Sequence, residues 1–359
     1  FKANVFKGVE QISRRTELTE KYAGSGVDWK AEIRSYADYL SKQEKPAAVK
    51  PARKEYKDKE VKLKGWPFDA TTAKAMLSKE VETQKSIELA PGIRMNFVRI
   101  PAGSFVMGSN RGHSDYSPVS KQVVKKAFWM GEIEVSNEQF RTIFPDHNSR
   151  FIGQLWKDHV HEGYPANNPE QPAIRVSWQE AMDFCTKLSE ETGLNVTLPT
   201  EVQWEWACRA GSADDFWYGS LNADFAKFEN LADAQLNKAA VRGVNPQPMS
   251  PKDGWYKYYT YQPKENGVDD GNMLMVKGGS YQANPWGLYD MQGNVAEWTR
   301  SDYMPYPYNE KTQDGTGTEK VARGGSWTEH PKTCTSYYRK AYLPWQKVYN
   351  VGFRVIIED

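Results

Sequence analysis

Three segments of this sequence open with Ser or Thr followed three residues later by Gln or Glu, and beyond the third of them periodicity gives out for about 150 residues. They begin at Ser136 (SNEQ), Ser177 (SWQE) and Thr200 (TEVQ). In that pattern the hydroxyl and the later side chain each satisfy the other residue's free backbone amide, so each segment predicts a helix start. The second continues AMDFCTKLSEETG, which puts Ala181, Phe184, Cys185 and Leu188 on one face and Gly193 at the C-cap. The third continues WEWACRAG and is expected to close at Gly211. From there on the chain is dominated by Gly, Asn, Pro and aromatics. A segment that long without elements is either disordered or tied down by something other than periodic burial. With 13 Trp, 20 Tyr and 14 Phe in the chain, tying is the expectation, because large rings anchor loops by area rather than by pattern.

The 359 residues exceed the usual size of one compact domain. Residues 1–42 predict a helical arm: Val5, Val9, Ile12 and Leu18, then Ile33, Tyr36, Tyr39 and Leu40, recur at helical spacing around a Gly24-Ser25-Gly26 break. So short an arm is expected to dock on another protein or on a missing part of a longer chain, and the start at Phe1 suggests a processed or truncated product. Residues 43–65 are lysine-rich with Pro46 and Pro51 and read as a solvated linker. Residues 66–359 form the main domain, with a short helix expected over 71–78 and strands over 86–89, 95–100 and 104–107. Lys+Arg 47 against Asp+Glu 46 argues against nucleic-acid binding through a global positive field. No run of eighteen apolar residues occurs, so no membrane span is expected.

Two acidic clusters could tie the loops. Asp290 to Trp298 places two carboxylates, Asp290 and Glu297, around Gly293, as hard-cation loops do. Asn230 and Asp233 could combine with the distant Asp269-Asp270-Gly271-Asn272. Each also reads as a plain turn.

The runs IPAGSFVMGS (100–109), VSWQEAMDFC, LPTEVQWEWACRAG (198–211), NPWGLYDMQGNVAEW (284–298), RGGSW (323–327) and GFRVI (352–356) resemble the formylglycine-generating enzyme, or sulfatase-modifying factor, family. The resemblance implies an α+β fold of low regular secondary structure, related to C-type-lectin-like domains and commonly stabilised by calcium. It implies two structural calcium sites. One uses Asn230, the carbonyl of Leu231, Asp270 and the carbonyl of Asn272. The other uses Asp290, the carbonyls of Gly293 and Val295, and Glu297.

Enzymes of this family oxidise a target cysteine to formylglycine with two copper-binding cysteines, three and eight positions beyond the Ser of the GGS motif. Those positions are Glu329 and Cys334 here, so copper is not expected: a carboxylate is a poor Cu(I) ligand. Cys334 then stands either as a surviving thiol or as the partner of Cys208 in a disulfide that the resemblance implies, with Cys185 as a core residue. That disulfide and the family suggest an exported protein, whether periplasmic, cell-surface or secreted. The expected function is a non-catalytic binding or structural module. The alternative is an oxidoreductase on the same scaffold, working through Cys334 with Ser326 and Glu329. The related ergothioneine-pathway branch, with its three-histidine iron, is disfavoured because no histidine precedes His113. His147, His159 and His161 could form a metal set or be ordinary surface and core residues. Ser326 and Ser336 have no evident triad partners. An added segment, GWYKYYTY (254–261), carries Trp255, Tyr256, Tyr258 and Tyr259, which could stack on carbohydrate or meet a partner, or fold over the domain's own loops. The tyrosines of 301–308 could join that surface.

Overall fold

The computed structural model describes residues 61–111, 114–152, 164–237, 267–309 and 317–359. The helical arm, most of the linker, His113, His159, His161 and the aromatics Trp255, Tyr256, Tyr258 and Tyr259 lie outside the described residues.

Helix α1 (Ala70–Leu77) begins where Asp69 accepts a hydrogen bond from the Thr72 amide at 2.8 Å. Strands β1 (Gln84–Ala90) and β2 (Ile93–Ile100) follow as a hairpin, and β3 (Gly103–Met107) pairs with β4 (Ser120–Val124). After β5 (Phe128–Gly131) come the three capped helices. They are α2 (Asn137–Arg141), α3 (Trp178–Thr192) and α4 (Glu201–Arg209), and in each both reciprocal bonds of the capping box are present. The short pair β6 (Phe151–Ile152) and β7 (Tyr164–Pro165) lies between α2 and α3, and β8 (Asn195–Thr197) between α3 and α4. Gly193 ends α3 in the left-handed region, as the sequence predicts. At the end of α4 the left-handed cap is Ala210, one residue earlier than expected, and Gly211 follows with φ +104°, so close to Phe68 that a Cβ would come within 2.4 Å of its ring.

The C-terminal half supplies β9 (Ala296–Asp302), β10 (Lys320–Arg323), β11 (Arg339–Tyr342), β12 (Val351–Gly352) and β13 (Ile356–Glu358). One sheet runs β1-β2-β5-β13-β8 with every neighbour antiparallel. The other runs β11-β10-β9-β12, with β12 parallel to β9. The chain therefore crosses between sheets within a few residues, at Phe353-Arg354-Val355.

Alternation along β2, β5 and β13 divides the core. Val98, Ile100, Phe128, Met130 and Ile356 join Trp204 and Trp206 of α4 on one face. Met95, Phe97, Trp129 and Ile357 join Phe184, Cys185 and Leu188 of α3 on the other. With both faces covered, these strands are more apolar than a half-exposed sheet requires.

The non-periodic half is held by buried amide side chains that bridge loops. Asn284 donates to the Ala207 carbonyl at 2.8 Å and accepts from the amides of Trp286 and Leu288. Gln292 accepts from the Trp217 amide at 3.0 Å and donates to Asp215 O and Ser336 Oγ. Each such bond is worth about 1 kcal/mol net, and leaving a buried partner unmade costs about 1–3. The result is a mixed α+β fold of low regular content.

Candidate functional site

The loop that opens at Asp290 leaves ordinary backbone space twice: Asp290 and Asn294 have φ of 55° and 53°. Between them Gly293 lies flat on Asn230, so close that a Cβ would come within 2.6 Å of the Asn230 carbonyl oxygen. The Asn294 amide donates to that same carbonyl at 2.9 Å, and Asn230 Nδ2 donates to the Leu274 carbonyl at 2.8 Å. The two oxygen sets expected from the sequence thus meet along one seam, at Asn230 and Gly293.

Within the first set, Asp270 Oδ1 accepts from the Asn272 amide at 2.7 Å and Oδ2 from Tyr281 Oη at 3.0 Å. Asp233 Oδ2 accepts from the Asp270 amide at 2.6 Å. Burial, with the Asp233 carboxylate adding to it against the Asn272 amide, pushes Asp270 up to about 7. Leu231 is buried beside them. Asn230 Oδ1 is buried and has no hydrogen-bond partner, so this set keeps an acceptor that a hard cation could use.

In the second set Asp290 Oδ2 accepts from the Gly279 amide at 2.7 Å, whereas its Oδ1 is buried without a partner. Burial outweighs the Gly279 amide and the nearby Arg354 and pushes Asp290 up to about 6. Glu297 is placed differently. Its Oε1 takes Arg354 Nε and Nη2 at 2.9 and 2.6 Å, and its Oε2 takes Arg354 Nε and Trp204 Nε1 at 2.8 and 2.7 Å. Its charge is matched and both oxygens are committed, so it does not fit a cation ligand in this arrangement. Among the described residues no three His, Cys, Asp or Glu side chains gather into a metal cluster. A cation here would rest on one or two carboxylates plus amide and carbonyl oxygens.

Where the family pattern calls for the cysteine pair, Glu329 is ion-paired with Lys340. Burial opposes the charge on Lys340, but the Glu329 carboxylate outweighs it and holds the ammonium above its usual pKa. Asn350 Nδ2 bridges Ser326 Oγ at 2.8 Å and Glu329 Oε1 at 3.3 Å. Cys334 is fully buried with Phe216, Phe225 and Leu231, its Sγ 3.7 Å from the Glu329 carbonyl. A Cβ on Gly325 would fall 2.3 Å from that sulfur, so only glycine fits over the thiol.

The expected Cys208–Cys334 disulfide does not form: Cys185, Cys208 and Cys334 are all free. Cys208, on α4, packs in the large core, and Cys334 sits in the separate apolar cluster around Phe216. Burial pushes both thiols up, away from the thiolate that disulfide exchange needs. Cys185 is the core residue expected of it.

Ser326 accepts from Asn350, while Ser336 Oγ donates to the Asp215 carbonyl at 3.1 Å and accepts from Gln292. His147 is tucked edge-on against Phe140 and bonded to Ser149, with burial holding its pKa down to about 4. Tyr306 and Tyr308 are buried rather than displayed.

Sequence reasoning missed Glu134, Glu229, Arg354 and Lys340. Glu134 is only 1% exposed and neither carboxylate oxygen has a hydrogen-bond partner. Its one signal was a carboxylate set between Ile133 and Val135 in a run otherwise built for burial.

Residues 83–359 match the model of the sulfatase-modifying factor enzyme 1-like domain. The chain is 25% identical over 305 residues to the formylglycine-generating enzyme of Mus musculus, covering 72% of this chain and 73% of that protein. It is 27% identical over 284 residues to the inactive C-alpha-formylglycine-generating enzyme 2 of Bos taurus, covering 68% and 80%. The structure of PvdO from Pseudomonas aeruginosa superposes with a TM-score of 0.59 at 22% identity, covering 78% of this chain and all of that one, which speaks to the fold. Treponema denticola variable protein 1 does so with a TM-score of 0.57 at 19% identity and the same coverages. With the motifs, the two sheets and a matched span of more than three quarters of its length, this chain belongs to the sulfatase-modifying factor enzyme 1-like, or formylglycine-generating-enzyme, domain family.

Proposed function

We propose that residues 66–359 act as a non-catalytic binding or structural module, stabilised by calcium, in an exported protein. The Glu329–Lys340 ion pair carries this reading. It stands where the family has its first copper-binding cysteine, and a carboxylate neutralised by an ammonium offers no soft electron pair to Cu(I). The remaining thiol, Cys334, is buried with its pKa raised, so presenting it as a thiolate would cost the burial of an unmatched charge. A bovine relative named as inactive fits the same reading.

Calcium would be held by Asn230, Asp270 and the carbonyls of Leu231 and Asn272 at one place, and by Asp290 with the carbonyls of Gly293 and Val295 at the other. Its chemistry there is to satisfy oxygens and to tie loops. Export rests on the family alone, since the disulfide offered in its support is not formed. The ligand is another protein or a further part of a longer chain, with carbohydrate at Trp255, Tyr256, Tyr258 and Tyr259 as the lesser candidate.

The test is incubation of the chain with Cu(I), oxygen and a cysteine-containing sulfatase peptide, read by mass spectrometry. No formylglycine is expected, and copper retention should be the same in Cys334→Ser. Turnover that disappears in Cys334→Ser would establish the oxidase reading instead.

A further inference from the structure

Lys340, Glu329 and Asn350 meet side chain to side chain from three separate segments. Lys340 lies in β11, opposite Ala322 of β10, and Asn350 leads directly into β12. In the order β11-β10-β9-β12 those are the two outer strands of one sheet. Asn350 is 2% exposed, and its carbonyl is held by the Ala296 amide at 3.0 Å.

The three side chains are joined through a single atom. Glu329 Oε1 accepts from Lys340 Nζ and, at 3.3 Å, from Asn350 Nδ2, while Glu329 Oε2 is buried without a hydrogen-bond partner. Two nitrogens bonded to one oxygen are no more than about 6 Å apart. Asn350 Nδ2 also donates to Ser326 Oγ at 2.8 Å, so both acceptors together orient the amide. Burial is the largest influence on Lys340 and disfavours its charge, which only the Glu329 carboxylate makes good. One proton passed from Lys340 to Glu329 would remove both buried charges and leave a nucleophilic amine beside a side-chain amide. A carboxyl group in contact with both nitrogens is placed to carry protons from one to the other.

We infer that Lys340 and Asn350 become joined by an isopeptide bond formed within the folded chain, with Glu329 as the proton carrier. Glu329 takes one proton from the Lys340 ammonium, and the freed lone pair on Nζ forms a bond to Cγ of Asn350. The Cγ–Nδ2 bond breaks, and Nδ2 leaves as ammonia with the second proton that Nζ loses. Glu329 then passes its own proton to the ammonia. The products are a secondary amide, an ammonium ion and the original carboxylate, and nothing is oxidised or reduced. The flexible stem of Lys340 supplies the last approach, to the roughly 3–3.5 Å at which such atoms react. The consequence is mechanical: a covalent link ties the two outer strands of the sheet and replaces a buried ion pair with a neutral amide. It would staple a domain whose three cysteines form no disulfide, and it depends on neither calcium nor the identity of any partner.

The full chain, purified and denatured, should be weighed intact and mapped by tryptic digestion with tandem mass spectrometry, as wild type, Glu329→Gln, Lys340→Arg and Asn350→Ala. Wild type is expected to be lighter than its sequence mass by one ammonia, with a branched peptide joining Lys340 to Asn350 and no cleavage after Lys340. The three variants are expected at their full sequence masses. Wild type at full mass overturns the inference, and so does a loss of ammonia that maps to a linear peptide, which marks an asparagine succinimide instead. A branched peptide that persists in Glu329→Gln overturns the proton-carrier role. The wild-type measurement decides whether the bond exists even where a variant fails to fold.

Discussion

Two groups of buried carboxylates lie in this domain, and they are matched in opposite ways. Around α4, Glu201 and Glu205 face three arginines: Arg339 grips Glu201 with Nε and Nη2 at 2.5 and 2.8 Å, and Glu205 bonds both Arg209, at 2.8 Å, and Arg323. Spare guanidinium donors go to carbonyls at Gly108, Asp115, Met304, Ser336 and Tyr338. Around Arg354 the ratio is reversed, with four carboxylates to one guanidinium and acceptors left over. In the first group every carboxylate has a guanidinium partner, and only a donor, Arg323 Nε, is left without a hydrogen bond. The second leaves oxygens of Glu134, Glu229 and Asp290 without a donor.

The comparison makes its largest claim about redundancy. Arg354→Met leaves Glu297 buried with no cation at all, and removing one partner of a buried pair costs about 3–5 kcal/mol. Arg209→Met removes one of two arginines on Glu205, so its cost should be visibly smaller. Urea unfolding of both variants in saturating calcium measures this. Equal losses would mean that the two groups are matched alike and that the contrast is an artefact of counting donors.

Legibility in the sequence divides along a similar line. The three capping boxes, the buried face of α3 and the strands of the first hairpin repeat within a few residues, and all are found where expected. The contacts that order the other half are not local. Glu205 meets Arg323 118 residues away, Glu201 meets Arg339 138 residues away, and Asn284 reaches back 77 residues to Ala207. Pairings of that range leave no periodic trace, so only their outcome, a long aromatic-rich segment, was visible. Asp290 could be singled out because it opens a glycine-containing acidic loop. Glu134 could not, since nothing beside it in the sequence says that it would be buried within the field of Asp290 and Arg354. The Arg354 bond to Glu297 was equally hidden, and it is what separates the residue the family pattern nominates from the oxygens that are free.

The under-matched group should also reveal itself through protons. In EGTA the folded chain keeps a proton on Asp290 up to about pH 6, because burial disfavours its charge, whereas the unfolded chain releases it near the ordinary aspartate value of 3.8. Between those values the folded state binds more protons, so this group's stabilisation is complete below the unfolded pKa and is lost as pH rises through about 6. The loss is up to about 1.4 kcal/mol per pH unit. His147 acts in the opposite direction. Its pKa is held down to about 4, so it costs stability as pH falls below its ordinary value. Subtracting the pH profile of Asp290→Asn from that of wild type cancels His147 and isolates the first slope. Calcium competes with the proton and should flatten the difference. Parallel profiles with and without calcium would remove Asp290 from the site.

The smallest expected effect separates burial from charge pairing as such. Glu88 and Arg94 face each other directly across the β1–β2 hairpin and form an ion pair at 3.2 Å, with both side chains more than half exposed. Water already solvates both charges, so the pair gains only a cross-strand contact of about 0.2–1 kcal/mol, reduced further by salt. Glu88→Gln should therefore shift Tm very little, and less still at high ionic strength, with calcium response unchanged. A loss comparable to that of Arg354→Met would mean that charge matching stabilises this domain wherever it occurs, and the contrast between the two buried groups would lose its basis in desolvation.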